Sequence, residues 1–337
     1  MTNPTLRDIP AVLDQAHTLT VPAVRQVLAG LHSDLAAVAA YHCGLSDRNG
    51  WPVTSGSGKM LRPALVFLSA RATGAVPATV VAGAVAVQLV HEFSLLHDDI
   101  MDRDRARRGR PSAWTVFGIN SAILAGDALL ASAVSLLTDN PHAETVLATA
   151  MGRLCAGQAD DLALQSRGGT VTDWERMAAN KTGALMWASC QIGALLGGGD
   201  PRTAAVLGQV GTELGLAFQA LDDWLGIWGD PQATGKPVGA DIAARKRSLP
   251  IVATLAGPCR ESAQVLATIL AREGDLSADD IAEATAVLEQ AQAGEVTRSH
   301  ARQHAALALD ALTESVIPPR VRREWDQLIT FATTRTV

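Results

Sequence analysis

Aromatic side chains make up only 4% of this 337-residue chain, and there is a single tyrosine. A sheet-rich fold, which draws on alternating Val, Ile, Tyr and Phe, is therefore disfavoured. Charge is sparse too: Asp, Glu, Lys and Arg together reach 18%, and the net charge is −6 at pH 7. A protein whose main task is gripping nucleic acid is excluded by that balance. The four cysteines, Cys43, Cys155, Cys190 and Cys259, lie far apart and form no C-x-x-C pair. Neither zinc nor a disulfide framework is expected, and a reducing, cytoplasmic setting fits. The opening residues, MTNPTLRDIPAV, hold no basic segment followed by an apolar one, so no signal peptide is expected. The most apolar run, residues 75–90, is broken by Pro77, Thr79, Gly83 and Gln88. It reads as a buried core helix, since a membrane span should be longer and cleaner.

What remains is rich in Ala, Leu, Val and Gly, spaced as helices space them. Apolar residues recur at three- and four-residue intervals in NSAILAGDALLASAVSLL and in LATAMGRLCAGQADDLALQ. Near the end, Val321, Trp325, Leu328 and Ala332 mark one helical face. Residues 1–20 are weakly patterned, a helix is expected from about Val21 to Tyr41, and residues 43–58 read as a loop. Thr172 and Glu175 suggest a capping box. No segment alternates long enough to be a strand. No repeat of 20 to 50 residues and no biased linker divides the chain. The expectation is one all-α domain over residues 21–337.

Against this apolar background, LLHDDIMDRDRARRGRP (residues 95–111) gathers four aspartates and five arginines. On a helix, Asp98 and Asp102 share a face, with Asp99 alongside, and like charges so placed repel unless a cation lies between them. Mg²⁺ takes oxygen ligands, commonly one or two carboxylates plus substrate phosphates. A solvated acidic helix end, paired with the arginines that follow, explains one such motif equally well. A second acidic pair, Asp222 and Asp223, follows another apolar helical run and favours the metal. There the fifth position is Gly226, with Asp230 one turn later. A helical glycine costs about 1 kcal/mol relative to Ala, so Gly226 is not present for local stability.

The cations follow the same logic. Lys59 and Arg62 lie three apart, Arg107 and Arg108 stand in a Gly- and Pro-containing turn, and Lys181, Lys236 and Lys246 recur later. Each alone is an ordinary surface cation. With the acids, they suggest a pocket for two polyanions, one bridged by metal and one held by cations alone.

From about Gly58 to Pro250 the chain resembles the trans-type isoprenyl diphosphate synthases, the geranyl-, farnesyl- and geranylgeranyl diphosphate synthases among them. The resemblance implies helices packed around a deep central cavity, usually in a homodimer. It implies three Mg²⁺ ions, with Asp98 and Asp102 as ligands from the first motif, Asp99 beside them, and Asp222, supported by Asp223, from the second. Arg107, Lys181, Thr182, Gln219, Lys236 and Lys246 correspond to residues that grip the allylic diphosphate. Lys59, Arg62, His91 and Arg108 correspond to the metal-free pocket for isopentenyl diphosphate. Ionisation of an allylic diphosphate needs stabilisation of the departing anion and an apolar, water-free wall around the carbocation. No Ser, Cys or His nucleophile is required.

Two departures stand out. The usual G-G-K-R start reads Ser57-Gly58-Lys59-Met60, and the second motif is DDxxG. Class I terpene cyclases share the fold and often have a degenerate second motif, which keeps a cyclase open as the alternative. A cyclase has no use for Lys59, Arg62, His91 and Arg108 together, so the synthase is preferred. A non-catalytic partner subunit should have lost the first motif, and this chain has not. Phe93 and Ser94, five and four residues before Asp98, are the chain-length positions. With bulk only at the farther one, geranylgeranyl diphosphate is the first choice of product and farnesyl diphosphate the second.

Overall fold

The computed structural model describes residues 11–53, 58–231, 237–313 and 317–333. The helices, in chain order, begin with α1 (Ala11–Ala29), α2 (Ser33–His42), α3 (Leu61–Ala72), α4 (Val81–Met101), α5 (Ala113–Phe117) and α6 (Ile119–Ser135). There follow α7 (Pro141–Arg167), α8 (Val171–Ala178), a π-helical turn (Ala179–Gly183), α9 (Ala184–Leu196) and α10 (Pro201–Trp228). The last are α11 (Ala240–Ala243), α12 (Leu249–Leu255), α13 (Arg260–Leu270), α14 (Ala278–Gln290), α15 (Ala293–Thr313) and α16 (Pro319–Thr333). The all-α architecture read from the sequence is the one observed.

α4 explains the plan. It is apolar on every side, the pattern of a helix enclosed by others, and α3, α6 and α9 enclose it. The stretch Pro77–Met101 has the length and composition to cross a membrane, and 67% of its apolar window is buried inside the fold. The main core joins α1 to α7, α9, the first half of α10, the end of α15, and α16. Val321, Trp325, Leu328 and Ala332 all turn inward there. Smaller clusters lie further along. One holds Leu164, Trp174, Met177, Ala220, Leu249 and Ala301. The other packs Ile227 against α11 to α14.

Several local expectations are corrected. The helix expected over Val21–Tyr41 is two helices, and the first begins at Ala11, with Val12, Leu13, Ala16, Thr20, Val24 and Leu28 buried along one stripe. The break falls at Gly30, after which His32 caps α2. The capping box of α8 is Thr170 with Asp173, not Thr172 with Glu175. Residues 106–111 form a two-residue-per-strand hairpin, β1 (Ala106–Arg107) with β2 (Arg110–Pro111). Its turn residues Arg108 and Gly109 both have positive φ, 53° and 73°, the requirement of a tight type I′ hairpin.

Candidate active site

α4 ends in acid. Asp98, Asp99 and Asp102 sit at its carbonyl end, where the helix dipole disfavours negative charge. Burial pushes the Asp98 carboxyl up to about 6 despite the nearby Lys181, and raises Asp102 as well. Asp99, fully buried, accepts from Arg107 Nε at 2.9 Å and from its terminal nitrogen. Its other oxygen, Oδ2, and Oδ1 of Asp102 are buried with no hydrogen-bond partner. Carboxylates disfavoured by helix and burial alike, with acceptor atoms left open, fit a bound divalent cation.

The π-helical turn supplies the opposing charge. Its Lys181 donates to Asp161 of α7 at 2.6 Å. Burial works against this ammonium, yet Asp98 and Asp161 hold its pKa above the usual lysine value. The turn lies hard against α7 because residue 157 is glycine: a Cβ there would come within 2.2 Å of the Lys181 amide nitrogen. One residue on, Thr182 Oγ1 donates to Gln219 Oε1 at 2.5 Å, and Gln219 Nε2 donates to Asp223 Oδ1 at 2.8 Å. Asp223 Oδ2 also accepts from Trp174 Nε1 (2.8 Å) and the Leu249 amide (2.7 Å). Burial, then the neighbouring Asp241, pushes Asp223 up to about 7. Asp223 thus ties α10 to α8 and α12, whereas Asp222 beside it is exposed.

The glycine at the fifth position of this motif makes room for a carboxylate from further along the chain. A Cβ on Gly226 would fall 2.2 Å from Oδ2 and 2.4 Å from Cγ of Asp241. The Asp241 carboxylate, 8% exposed, therefore occupies the volume a side chain at 226 would need. Lys246, five residues beyond it, lies within electrostatic reach of both Asp241 and Asp102. Burial opposes its charge, but Asp241, Asp104, Asp102 and Asp161 keep its pKa raised.

A second cationic group surrounds the middle of α4. Arg62 of α3 lies 3.2 Å from His91 Nε2. Burial, reinforced by Arg62, holds the His91 ring well below the usual histidine pKa, so it is neutral at pH 7; burial also lowers Arg62 to about 10. Arg108, at the hairpin tip, donates to Glu92 Oε1 at 2.9 Å and to the His42 carbonyl at 3.2 Å. Glu92, 1% exposed, also meets His42 Nε2 at 3.2 Å and accepts from Gln88 Nε2 at 2.7 Å. Burial alone would raise its pKa, but Arg108 and His42 hold it below the ordinary carboxylate range. Gly58 lies over the Arg108 guanidinium, a Cβ there standing 3.5 Å from its terminal nitrogen, and brings the exposed Lys59 to this end.

Thus the structure brings together Asp98, Asp102, Lys181 and Lys246; Thr182, Gln219 and Asp223; and Arg62, His91 and Arg108. Lys236 lies outside the described residues. Phe93 stacks edge-on against His97 at 4.7 Å, and Ser94 Oγ donates to the His91 carbonyl. Sequence reasoning missed Asp161, Asp241, Glu92 and Gln158, whose side-chain oxygen and nitrogen are buried without partners. An acid within the apolar run QLVHEFSLL was a signal for Glu92, because a buried carboxylate needs counter-charge.

The family model for polyprenyl synthetases matches residues 48–288. Over 98% of this chain and 94% of the relative, the sequence is 42% identical to a (2E,6E)-farnesyl diphosphate synthase of Mycobacterium tuberculosis. A geranylgeranyl diphosphate synthase of the same organism is also 42% identical, covering 92% of this chain and 90% of that one. Among solved structures, a polyprenyl synthetase from Streptomyces coelicolor superposes with a TM-score of 0.92 at 43% identity, covering 97% of this chain and 100% of that one.

Proposed function

This chain belongs to the polyprenyl synthetase family and is a prenyltransferase, and we propose that it joins isopentenyl diphosphate head-to-tail to an allylic diphosphate with Mg²⁺. The observation that carries this reading is the coexistence of two anion sites of different kind. Asp98, Asp102 and Asp222 would hold the ions, and Lys181, Arg107, Lys246, Thr182 and Gln219 line the same end. The Arg62, His91 and Arg108 group, by contrast, is built around a counter-ion of its own, the buried Glu92. A cyclase, which takes one diphosphate, has no use for that second pocket.

Bound divalent cations would supply Lewis-acid stabilisation of the departing diphosphate. The protein's own part is positional. Lys181 and Lys246 neutralise charge that grows as the C–O bond lengthens. The Thr182–Gln219–Asp223 chain fixes the donors around the leaving group. Neutral His91 can donate to a diphosphate without adding charge beside Arg62. The double bond of isopentenyl diphosphate attacks the allylic carbon, and the proton released passes to the departed diphosphate.

For the product we favour geranylgeranyl diphosphate, with farnesyl diphosphate second: Phe93 is bulky, Ser94 is small, and the Phe93 ring abuts His97. We read the chain as a homodimer through α6, where Ile119, Ile123 and Leu124 are 48%, 38% and 55% exposed. The decisive test incubates purified protein and Mg²⁺ with isopentenyl diphosphate plus dimethylallyl, geranyl or farnesyl diphosphate, with products identified by mass spectrometry. Longer linear diphosphates formed only with isopentenyl diphosphate are expected. Hydrocarbons or alcohols from an allylic diphosphate alone would instead establish the cyclase.

A further inference from the structure

We propose that His300, His304 and Glu175 form a transition-metal site of the zinc class on the flank of the fold, apart from the aspartate motifs. His300 and His304 stand one helical turn apart on α15, so both rings leave the same face, with centroids 6.5 Å apart. Glu175 comes from α8, whose Trp174 and Met177 share an apolar cluster with Ala301 of α15. One ligand atom from each of the three residues lies within 4.8 Å of the others. Modest side-chain rotations bring such atoms to the roughly 2.0–2.2 Å of zinc bonds.

Two features separate this group from a chance meeting of charges. The His300 Nδ1 atom is buried and has no hydrogen-bond partner, because Glu175 Oε1 stops 3.6 Å away. That gap is too long for a hydrogen bond, and an ion between the two atoms would satisfy both. His304 Nδ1, meanwhile, lies 2.7 Å from Glu213 Oε2 of α10. A carboxylate on one imidazole nitrogen fixes the tautomer and leaves Nε2 as the lone-pair atom, the outer arrangement typical of metal-bound histidine. The side chains are 12% (His304), 23% (His300) and 40% (Glu175) exposed, so an ion can enter.

The donor set selects the metal. Two imidazoles and one carboxylate suit Zn²⁺, with a fourth position for water, whereas Mg²⁺ prefers oxygen alone. The scarcity of cysteine argues against thiolate zinc and does not bear on this site. The ion would fasten α15 to α8, the helix that carries Trp174 and runs into the Lys181 turn.

The test uses the full chain, stripped with chelator and held in excess Mg²⁺ to occupy oxygen-rich sites. Titration with Co²⁺ should give the visible absorption of a low-coordinate ion, saturating at one per chain and displaced by Zn²⁺. His300→Gln with His304→Gln should abolish the band, Glu213→Gln should weaken binding roughly 10- to 100-fold, and Asp98→Ala should leave it unchanged. Zn²⁺ should raise the thermal midpoint of the wild type and not of the double histidine variant, which also reports whether that variant is folded. No band in the wild type, a band surviving in the double variant, or one lost in Asp98→Ala would each overturn the proposal.

Discussion

The two acidic motifs reach similar ends by different routes. The first is continuous: Asp98, Asp99 and Asp102 follow one another off the end of α4. The second is split between α10 and α11, with Asp241 standing where a side chain on Gly226 would begin. In both, one aspartate is spent on architecture, Asp99 on Arg107 and Asp223 on Trp174, Gln219 and Leu249. The lesson is that a motif is a set of positions in space, and a gap in the sequence pattern need not be a gap in the site.

Removing the continuous motif should have the largest effect. Asp98→Ala is expected to cut kcat by roughly a thousandfold, the scale for losing a main stabiliser of developing charge. A surface cluster of ion pairs would lose almost nothing, so near-normal turnover would refute the assignment.

Restoring the split motif should harm rather than help. Gly226→Asp would drive a side chain into the Asp241 carboxylate and add a like charge, costing at least the roughly 1–3 kcal/mol of ordinary overpacking. Activity should fall with stability. Combining it with Asp241→Gly should recover part of both, a non-additivity expected of groups sharing one volume. If Gly226→Asp alone were as stable and active as wild type, the replacement reading would fail.

The cationic pocket has no such split, but it depends on a single buried anion. Glu92→Gln should destabilise the fold by about 3 kcal/mol, as loss of one partner in a buried pair does. By loosening Arg108 it should raise the KM for isopentenyl diphosphate and spare that for the allylic substrate. Equal increases in both would mean a general loss of structure. Phe93→Ala is a smaller perturbation of chemistry: it should lengthen the product while leaving the rate of the first condensation similar, and unchanged product length would assign the floor to another residue.

Much of this plan is legible in the sequence. Ala- and Leu-rich periodicity announces the all-α fold, and charges in an apolar chain announce the site, because each needs a reason to be there. What was hidden depends on contacts between distant residues. Gly226 and Asp241 are fifteen positions apart, and only the approach of two backbones makes one explain the other. α1 was obscured by Pro22, although its stripe from Val12 to Leu28 has helical spacing. Glu92 could be flagged as a buried acid, but not matched to Arg108, whose position depends on a two-residue turn with positive φ.

The gentlest probe of the first motif is pH, with the metal removed. Burial raises Asp98 from its ordinary value to about 6. A carboxyl with a raised folded-state pKa contributes its stability below its unfolded value, and that contribution is lost as pH rises through the folded value. Here the window runs from about 4 to about 6. Buried, neutral His91 works in the opposite sense, because the unfolded chain gains a proton there as pH falls. A single melting curve therefore mixes these two with the raised Asp102 and Asp223. The difference between Asp98→Asn and wild type cancels the histidine, and it should favour the variant more at pH 7.5 than at pH 5. Added Mg²⁺, which binds the ionised carboxylates of the wild type, should shrink or reverse that advantage. A difference independent of both pH and Mg²⁺ would place Asp98 in a structural role, like Asp99, rather than facing the ion.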